Sequence, residues 1–366
     1  MIKITSNILS PKQRVYARLA RQPIDRIPNL CILMTFAARR IGCTYDQYVQ
    51  DYRLLVEGNL RCCEEFEIDM LSAISDPVRE THDFGAKVVF PFDDVPYASE
   101  AYIKSSKDLF QLIPVPPENG KRMSNRLNAI RLFKEKAGDT YPILGWVEGA
   151  FAEACDLHGI TETMHDLVDQ PDFLQGLLEI CTEQSILFAE AEIVAGADFI
   201  GIGDAAASLI GPRSYKKFVL PYEQRIIQAI HARGAKARLH ICGNISSLLT
   251  ILPESGADII DLDYPVDFES AVKALSPSIA ANGNFEPSRI LLQSTVDEVK
   301  SAVQRCMSVS DTNTFIAAGC EVPRDTPHEN LRAVSETLWN IMAKKSIVRI
   351  ESLPNRTFVQ HLSTKK

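Results

Sequence analysis

The chain has 366 residues, and three of its side chains suit a metal ion best: His240 and Cys242 in His240-Ile241-Cys242, and Cys320 after Gly319. In extended backbone, residues i and i+2 face the same way, so the imidazole and the first thiol converge. Gly243 lets the chain turn sharply just beyond them. Two thiolates and one imidazole form a borderline-soft set suited to Zn2+, and three protein ligands leave a fourth tetrahedral position for substrate. His-x-Cys alone is a weak motif that more often marks residues without a metal. Cys320, at the end of a different apolar run, turns it into a geometric expectation. Other polar residues end apolar runs in the same way: Glu148 in GWVEG, Asp204 in GIGDAAAS, Asp261 and Asp263 in DIIDLDY, and Asn284 in PSIAANGN. Glu148, Asp204 and Asp263 are the catalytic candidates, as acids, bases or substrate-orienting groups. Asp261 and Asn284 are the cofactor-binding candidates, and a helix N-cap role competes for each of the five. Asp263 is also a candidate to fill the fourth zinc position until substrate displaces it.

The elements that carry these residues read as alternating strands and helices. YPILGWVEG (141–149), ADFIGIGD (197–204), KARLHICG (236–243), DIIDLDY (258–264), PSIAANGN (277–284) and TFIAAGC (314–320) have the composition of buried parallel strands. Amphipathic stretches at 172–196 and 214–234 separate some of them, and Gly196, Gly234 and Gly256 close helices. RIPNLCILM (26–34) and EIDMLSAIS (67–75) add two strands upstream. Eight strands alternating with helices predict an α/β fold, a (β/α)8 TIM barrel over 1–345. Residues 76–125 break the alternation and are expected to form a hairpin inserted after the second strand, followed by a Pro-rich loop. Residues 346–366 read as a peripheral tail. In such a barrel His240, Cys242 and Cys320 all fall at the carboxyl face, where this fold places its chemistry.

Bulk properties narrow the partners. Hydrophobic residues make up 46% and charged residues 23%, with a net charge of −8. A basic surface for nucleic acid is lacking. No apolar run approaches a membrane span, and the amino terminus lacks the pattern of a secretory signal. Nine irregularly spaced cysteines do not describe a disulfide framework, so a cytoplasmic location is expected. Several features carry less weight. Cys62-Cys63 read as packing residues within a helix, and Cys155 with His158 is a spacing common by chance. His82 in ETHDFG is a near miss to a corrinoid-binding motif, and GIGDAAAS lacks the spacing of a dinucleotide fingerprint.

Taken together, the sequence resembles the uroporphyrinogen decarboxylase superfamily over roughly residues 8–343, most strongly after 140. PKQRVYARLARQPIDRIP matches the opening helix and its lead into the first strand, and AGADFIGIGDAAASLIGPRSYKKFVLPY matches the fourth strand and the helix after it. LHICGN, ANGNFEP and AAGCEVPRDTPHENLRA complete the series. Within the superfamily the chain looks most like the methylcobamide:coenzyme M methyltransferases, whose His-x-Cys…Cys zinc signature falls here on His240, Cys242 and Cys320. That resemblance implies methyl transfer from a methylcobalamin carried by a separate corrinoid protein to a small thiol such as coenzyme M. A tetrapyrrole decarboxylase of the same superfamily is metal-free and needs arginines for eight carboxylates. The corresponding stretch here, LMTFAARRIGCTYDQY, offers only Arg39 and Arg40. A third alternative runs the transfer backwards, demethylating a donor onto the corrinoid.

Overall fold

The apolar runs after residue 140 all become parallel strands in the computed structural model, which describes residues 8–339. In chain order the strands are β1 (Leu71–Ser72), β2 (Val88–Val89), β3 (Tyr97–Ala98), β4 (Ile143–Glu148) and β5 (Phe199–Gly203). They continue with β6 (Lys236–Ile241), β7 (Ile259–Leu262), β8 (Ala280–Phe285) and β9 (Phe315–Ala318). One parallel sheet runs in the order β1-β4-β5-β6-β7-β8-β9, with helices between successive strands. The fold is the expected α/β barrel, but its eighth stave is not a regular strand. Residues 28–33 close the ring through a single parallel bridge, Asn29 to Ile316, and through hydrogen bonds from Asp69 N to Asn29 O and from Val322 N to Ile32 O, both 2.9 Å.

The backbone chemistry of that stretch explains the irregularity. Pro28 has no N–H to give a ladder. Asn29 N donates to the Asp69 carboxylate at 2.7 Å, and Cys31 N donates to the Asn29 side chain at 3.2 Å. Side chains thus take the groups a strand would have used. β1 is short for a related reason, since Ser72 N is tied to Asn59 Oδ1 and Ile74 N to Ser72 Oγ.

Two further expectations need adjusting. The inserted region contains antiparallel pairing only between β2 and β3, at Val88↔Ala98 and Val89↔Tyr97, beside the short helices Arg79–Asp83 and Asp108–Gln111. The stretch 214–234 is two helices, Pro212–Phe218 and Leu220–Ala232, because Pro221 starts a new helix and cannot continue the old one. The predicted tail, 346–366, lies outside the described residues.

One hydrophobic layer packs between sheet and helices, and a smaller one fills the barrel, with Ile32, Leu144, Trp146, Phe199 and Ile259 among its members. Gly201 makes room for the indole: a Cβ there would stand 2.2 Å from Trp146 Cε3.

Closure of the ring depends on Asp69, which is fully buried. Its carboxylate accepts from Arg14 at 2.7 Å, from Arg26 at 2.6 Å and from Asn29 N at 2.7 Å. Removing one partner of a buried ion network strands the others without water. Asp69→Ala is therefore expected to lower the unfolding free energy by about 3–5 kcal/mol in denaturant titration. A loss within 1 kcal/mol or so would mean the network is not what closes the barrel.

Candidate metal centre

β6 presents Arg238 and His240 on one face by its two-residue period, and β7 sets Asp261 directly opposite His240. The Asp261 carboxylate meets His240 Nδ1 at 2.9 Å. It also accepts from Arg238 Nε at 2.9 and 3.0 Å and from Asn282 Nδ2 at 2.7 Å. Burial alone raises a carboxylate pKa, but here the Arg238 charge and the His240 bond outweigh it and hold Asp261 at about 2. An ionised Asp261 keeps the proton on Nδ1 and leaves Nε2 turned toward the thiols, the orientation a metal-ligating histidine needs.

Those thiols come from two loops. Cys242 directly follows β6, and Cys320 lies two residues beyond the end of β9. His240 Nε2 is 3.1 Å from Cys242 Sγ and 3.9 Å from Cys320 Sγ, and the two sulfurs are 4.0 Å apart. A tetrahedral zinc with ordinary bond lengths would set its ligand atoms about 3.6–3.8 Å apart, so the triad fits such an ion with shifts of a few tenths of an ångström. Hydrogen bonding from Cys242, opposed by burial and aided by His240, pulls the Cys320 pKa down, while the same bond pushes Cys242 up. Within the pair, negative charge is thus favoured on Cys320 and the proton on Cys242.

Asp263 shapes the loops that hold the thiols. Its carboxylate accepts from Gly243 N at 2.8 Å and from Tyr264 N at 2.7 Å, with Gly243 in the left-handed region at φ +81°. Gly319 must also be small, since a Cβ there would lie 2.6 Å from Tyr264 N and 2.7 Å from Asp263 Oδ1. Among the described residues the group whose ligand atoms converge is His240, Cys242 and Cys320; Asp263 stands outside it.

The triad lines a cavity of about 270 Å³ at the carboxyl mouth. Glu148 lines it too, ion-paired with Arg79 at 2.9 Å and accepting from Trp146 Nε1 at 3.3 Å. Burial pushes the Glu148 carboxyl up, against the pull of Arg79. Asp204 does not reach the cavity. It accepts from Ala152 N at 2.9 Å at the start of helix Ala150–His158, its own N–H donates to His240 O, and burial raises it to about 7. Asn284 donates to Val266 O at 2.6 Å and lines a separate groove of about 310 Å³. The five candidates therefore separate. Glu148 and Asp261 touch the cavity wall or the triad, Asp204 and Asp263 hold the loops, and Asn284 lies apart.

The lesser candidates take structural places. Cys62 and Cys63 are buried in helix Tyr52–Phe66, His158 bonds Ile103 O and Asp166 rather than Cys155, and His82 pairs with Asp83. Sequence reasoning missed Arg238, Asp76 and Glu321. Arg238 was legible, since it precedes His240 by the strand period; Asp76 and Glu321 sit in irregular loops whose side-chain directions no periodicity fixes.

Comparison with known proteins adds to this geometry. The family model described as uroporphyrinogen decarboxylase (URO-D) matches residues 10–340. A methylcobamide:CoM methyltransferase, MtbA, of Methanosarcina mazei is 27% identical over 337 residues, covering 90% of this chain and 98% of that one. A uroporphyrinogen decarboxylase of Pelobacter propionicus is 25% identical over 303 residues, covering 78% and 85%. The solved structure of a methyltransferase from Methanosarcina mazei superposes with a TM-score of 0.83 at 23% identity, covering 90% of this chain and 98% of that one. That likeness bears on the fold.

The orienting role of Asp261 is directly measurable. Asp261→Ala is expected to weaken zinc binding by about 10–100-fold in chelator competition, with all three ligands intact. Unchanged affinity would show that the imidazole needs no such partner.

Proposed function

This chain belongs to the uroporphyrinogen decarboxylase family, and within it we propose a zinc-dependent methyltransferase that moves a methyl group from a methylated corrinoid to a small thiol. The curated relatives include both methylcobamide:CoM methyltransferases and uroporphyrinogen decarboxylases, so family membership leaves the reaction open. One observation favours methyl transfer: the two thiols and the oriented imidazole converge on a cavity of about 270 Å³ that no arginine or lysine among the described residues lines. A tetrapyrrole with eight carboxylates needs more room and several cations. A small thiol needs neither.

His240, Cys242 and Cys320 would hold the zinc beside the cavity, three protein donors that leave a further ligand to come from substrate. When bound there, zinc supplies Lewis acidity that lowers a thiol pKa toward neutrality while two thiolate ligands keep the sulfur nucleophilic. In the transfer the thiol sulfur would form the new S–CH3 bond with its electron pair, the corrinoid would keep the pair of the bond that breaks, and the thiol proton would pass to solvent. This chain's own residues position rather than react. Asp261 fixes the imidazole, Asp263 and Asp204 hold the loops, and Glu148 with Trp146 forms the wall beside the reacting atoms. A separate corrinoid protein presenting methylcobalamin is the partner this reading requires.

The zinc-loaded chain, given methylcobalamin and a panel of thiols, is expected to consume the methyl-cobalt absorbance and yield methyl thioethers. Cys320→Ala should lose stoichiometric zinc and turnover together. Release of CO₂ from uroporphyrinogen without methyl transfer to any thiol would overturn the proposal, and full zinc occupancy in Cys320→Ala would remove Cys320 from the ligand set.

A further inference from the structure

The charged groups on the cavity wall are all of one kind. Apart from the triad, its polar side chains are the carboxyl groups of Asp76, Glu148 and Glu321, set among Ile32, Met34, Ile74, Pro77, Val95 and Trp146. One oxygen of Glu321 is buried with no hydrogen-bond partner among the described residues. No guanidinium among the described residues lines this wall, and those that meet its carboxyl groups or Asp261 are held by carboxylates. Arg79 is shared by Glu148 at 2.9 Å and Glu80 at 3.4 Å, Arg122 meets Asp76 at 2.5 Å, and Arg238 is taken up by Asp261. Arg324, whose charge reaches Glu321, is paired with Asp93 at 2.7 Å.

A permanently anionic tail entering this space would lose its water and gain no cation. Ionised, the wall carboxylates repel it; protonated, they still leave its charge unneutralised. Uncharged tails meet no such penalty. An ammonium tail also gains carboxyl oxygens as acceptors.

We propose that the thiol whose sulfur meets His240, Cys242 and Cys320 carries an uncharged or ammonium tail and not a sulfonate, phosphate or carboxylate. This rests on the thiol-methylation reading, and it separates the chain's substrate class from the sulfonate thiol implied by the names of its relatives. Specificity follows from the wall, which the metal triad does not determine.

Three thiols of one length decide it: 2-mercaptoethanol, 2-aminoethanethiol and 2-mercaptoethanesulfonate. Binding to the zinc-loaded full chain is measured by calorimetry, and methyl transfer from methylcobalamin is followed in parallel. The hydroxyl and ammonium thiols are each expected to bind at least tenfold tighter than the sulfonate, with kcat/KM in the same order. Met34→Lys, which places a cation on the wall at a half-buried position, is expected to raise sulfonate binding relative to 2-mercaptoethanol at least fivefold. Sulfonate binding as tight as or tighter than the other two overturns the inference, as does failure of all three to bind. An unchanged ratio in correctly folded Met34→Lys also overturns it, because the exclusion would then not be electrostatic. Tight binding of the uncharged thiol with no methyl transfer leaves this inference standing and overturns methyl transfer instead; transfer with the sulfonate preferred does the reverse.

Discussion

Asp261 has to stay ionised where water cannot reach it. Taking a carboxylate into a protein interior costs several kcal/mol, and only a close partner of opposite charge offsets that. Arg238 is that partner, and it occupies the same face of β6 as His240, two residues earlier. One carboxylate on β7 thus couples a cation that keeps it charged to an imidazole that its charge orients. Asn282 from β8 supplies a third contact, so three adjacent strands agree on the position of one histidine. The thiols can be brought to Nε2 because Nδ1 is already committed.

The same logic recurs one layer out. Arg79, Arg122 and Arg126 are almost wholly buried near Asp76, Glu80, Glu148, Glu153 and Glu192, and several of their polar atoms lack partners among the described residues. Such a network gives little net stability and is expensive to break, so its value lies in fixing geometry. Here it fixes Glu148 and Asp76 as the wall of the cavity while holding the arginines behind them. The arrangement inverts what a pocket for an acidic substrate would show. Identical residues with the guanidinium groups turned forward would make an anion site; turned back, they leave a wall of carboxyl groups and apolar side chains.

Legibility in the sequence followed periodicity. β4 to β9 were visible because buried parallel strands are continuous apolar runs, and the three metal-ligand candidates were visible because strand ends can be read from those runs. Residues 28–33 were read as a strand on composition, yet Pro28 and the demands of Asp69 on Asn29 N left only one bridge. Hydrophobicity does not report which side chain will capture a backbone group. Asp204 and Asp263 were read as chemistry because they end strands, but position in sequence cannot distinguish a carboxylate that faces the mouth from one that braces a loop. The difference lies in where backbone N–H groups such as Gly243 and Ala152 happen to point.

On the proposed reading, the metal centre and substrate specificity rest on different parts of the molecule. The barrel, its closing segment and the polar layer around Asp261 decide that donors from β6 and the loop after β9 meet, and these features hold whatever enters the cavity. The loops carrying Asp76 and Glu321, together with Trp146 on β4, line the cavity beside that meeting point. Charge discrimination acts over several ångströms in a low-dielectric mouth, whereas metal geometry tolerates errors of only tenths. A family can keep the inner set unchanged and alter its substrate by exchanging one or two wall residues for cations. In this chain those positions carry carboxyl groups and aliphatic side chains, so identity of reaction with a relative would not carry identity of substrate.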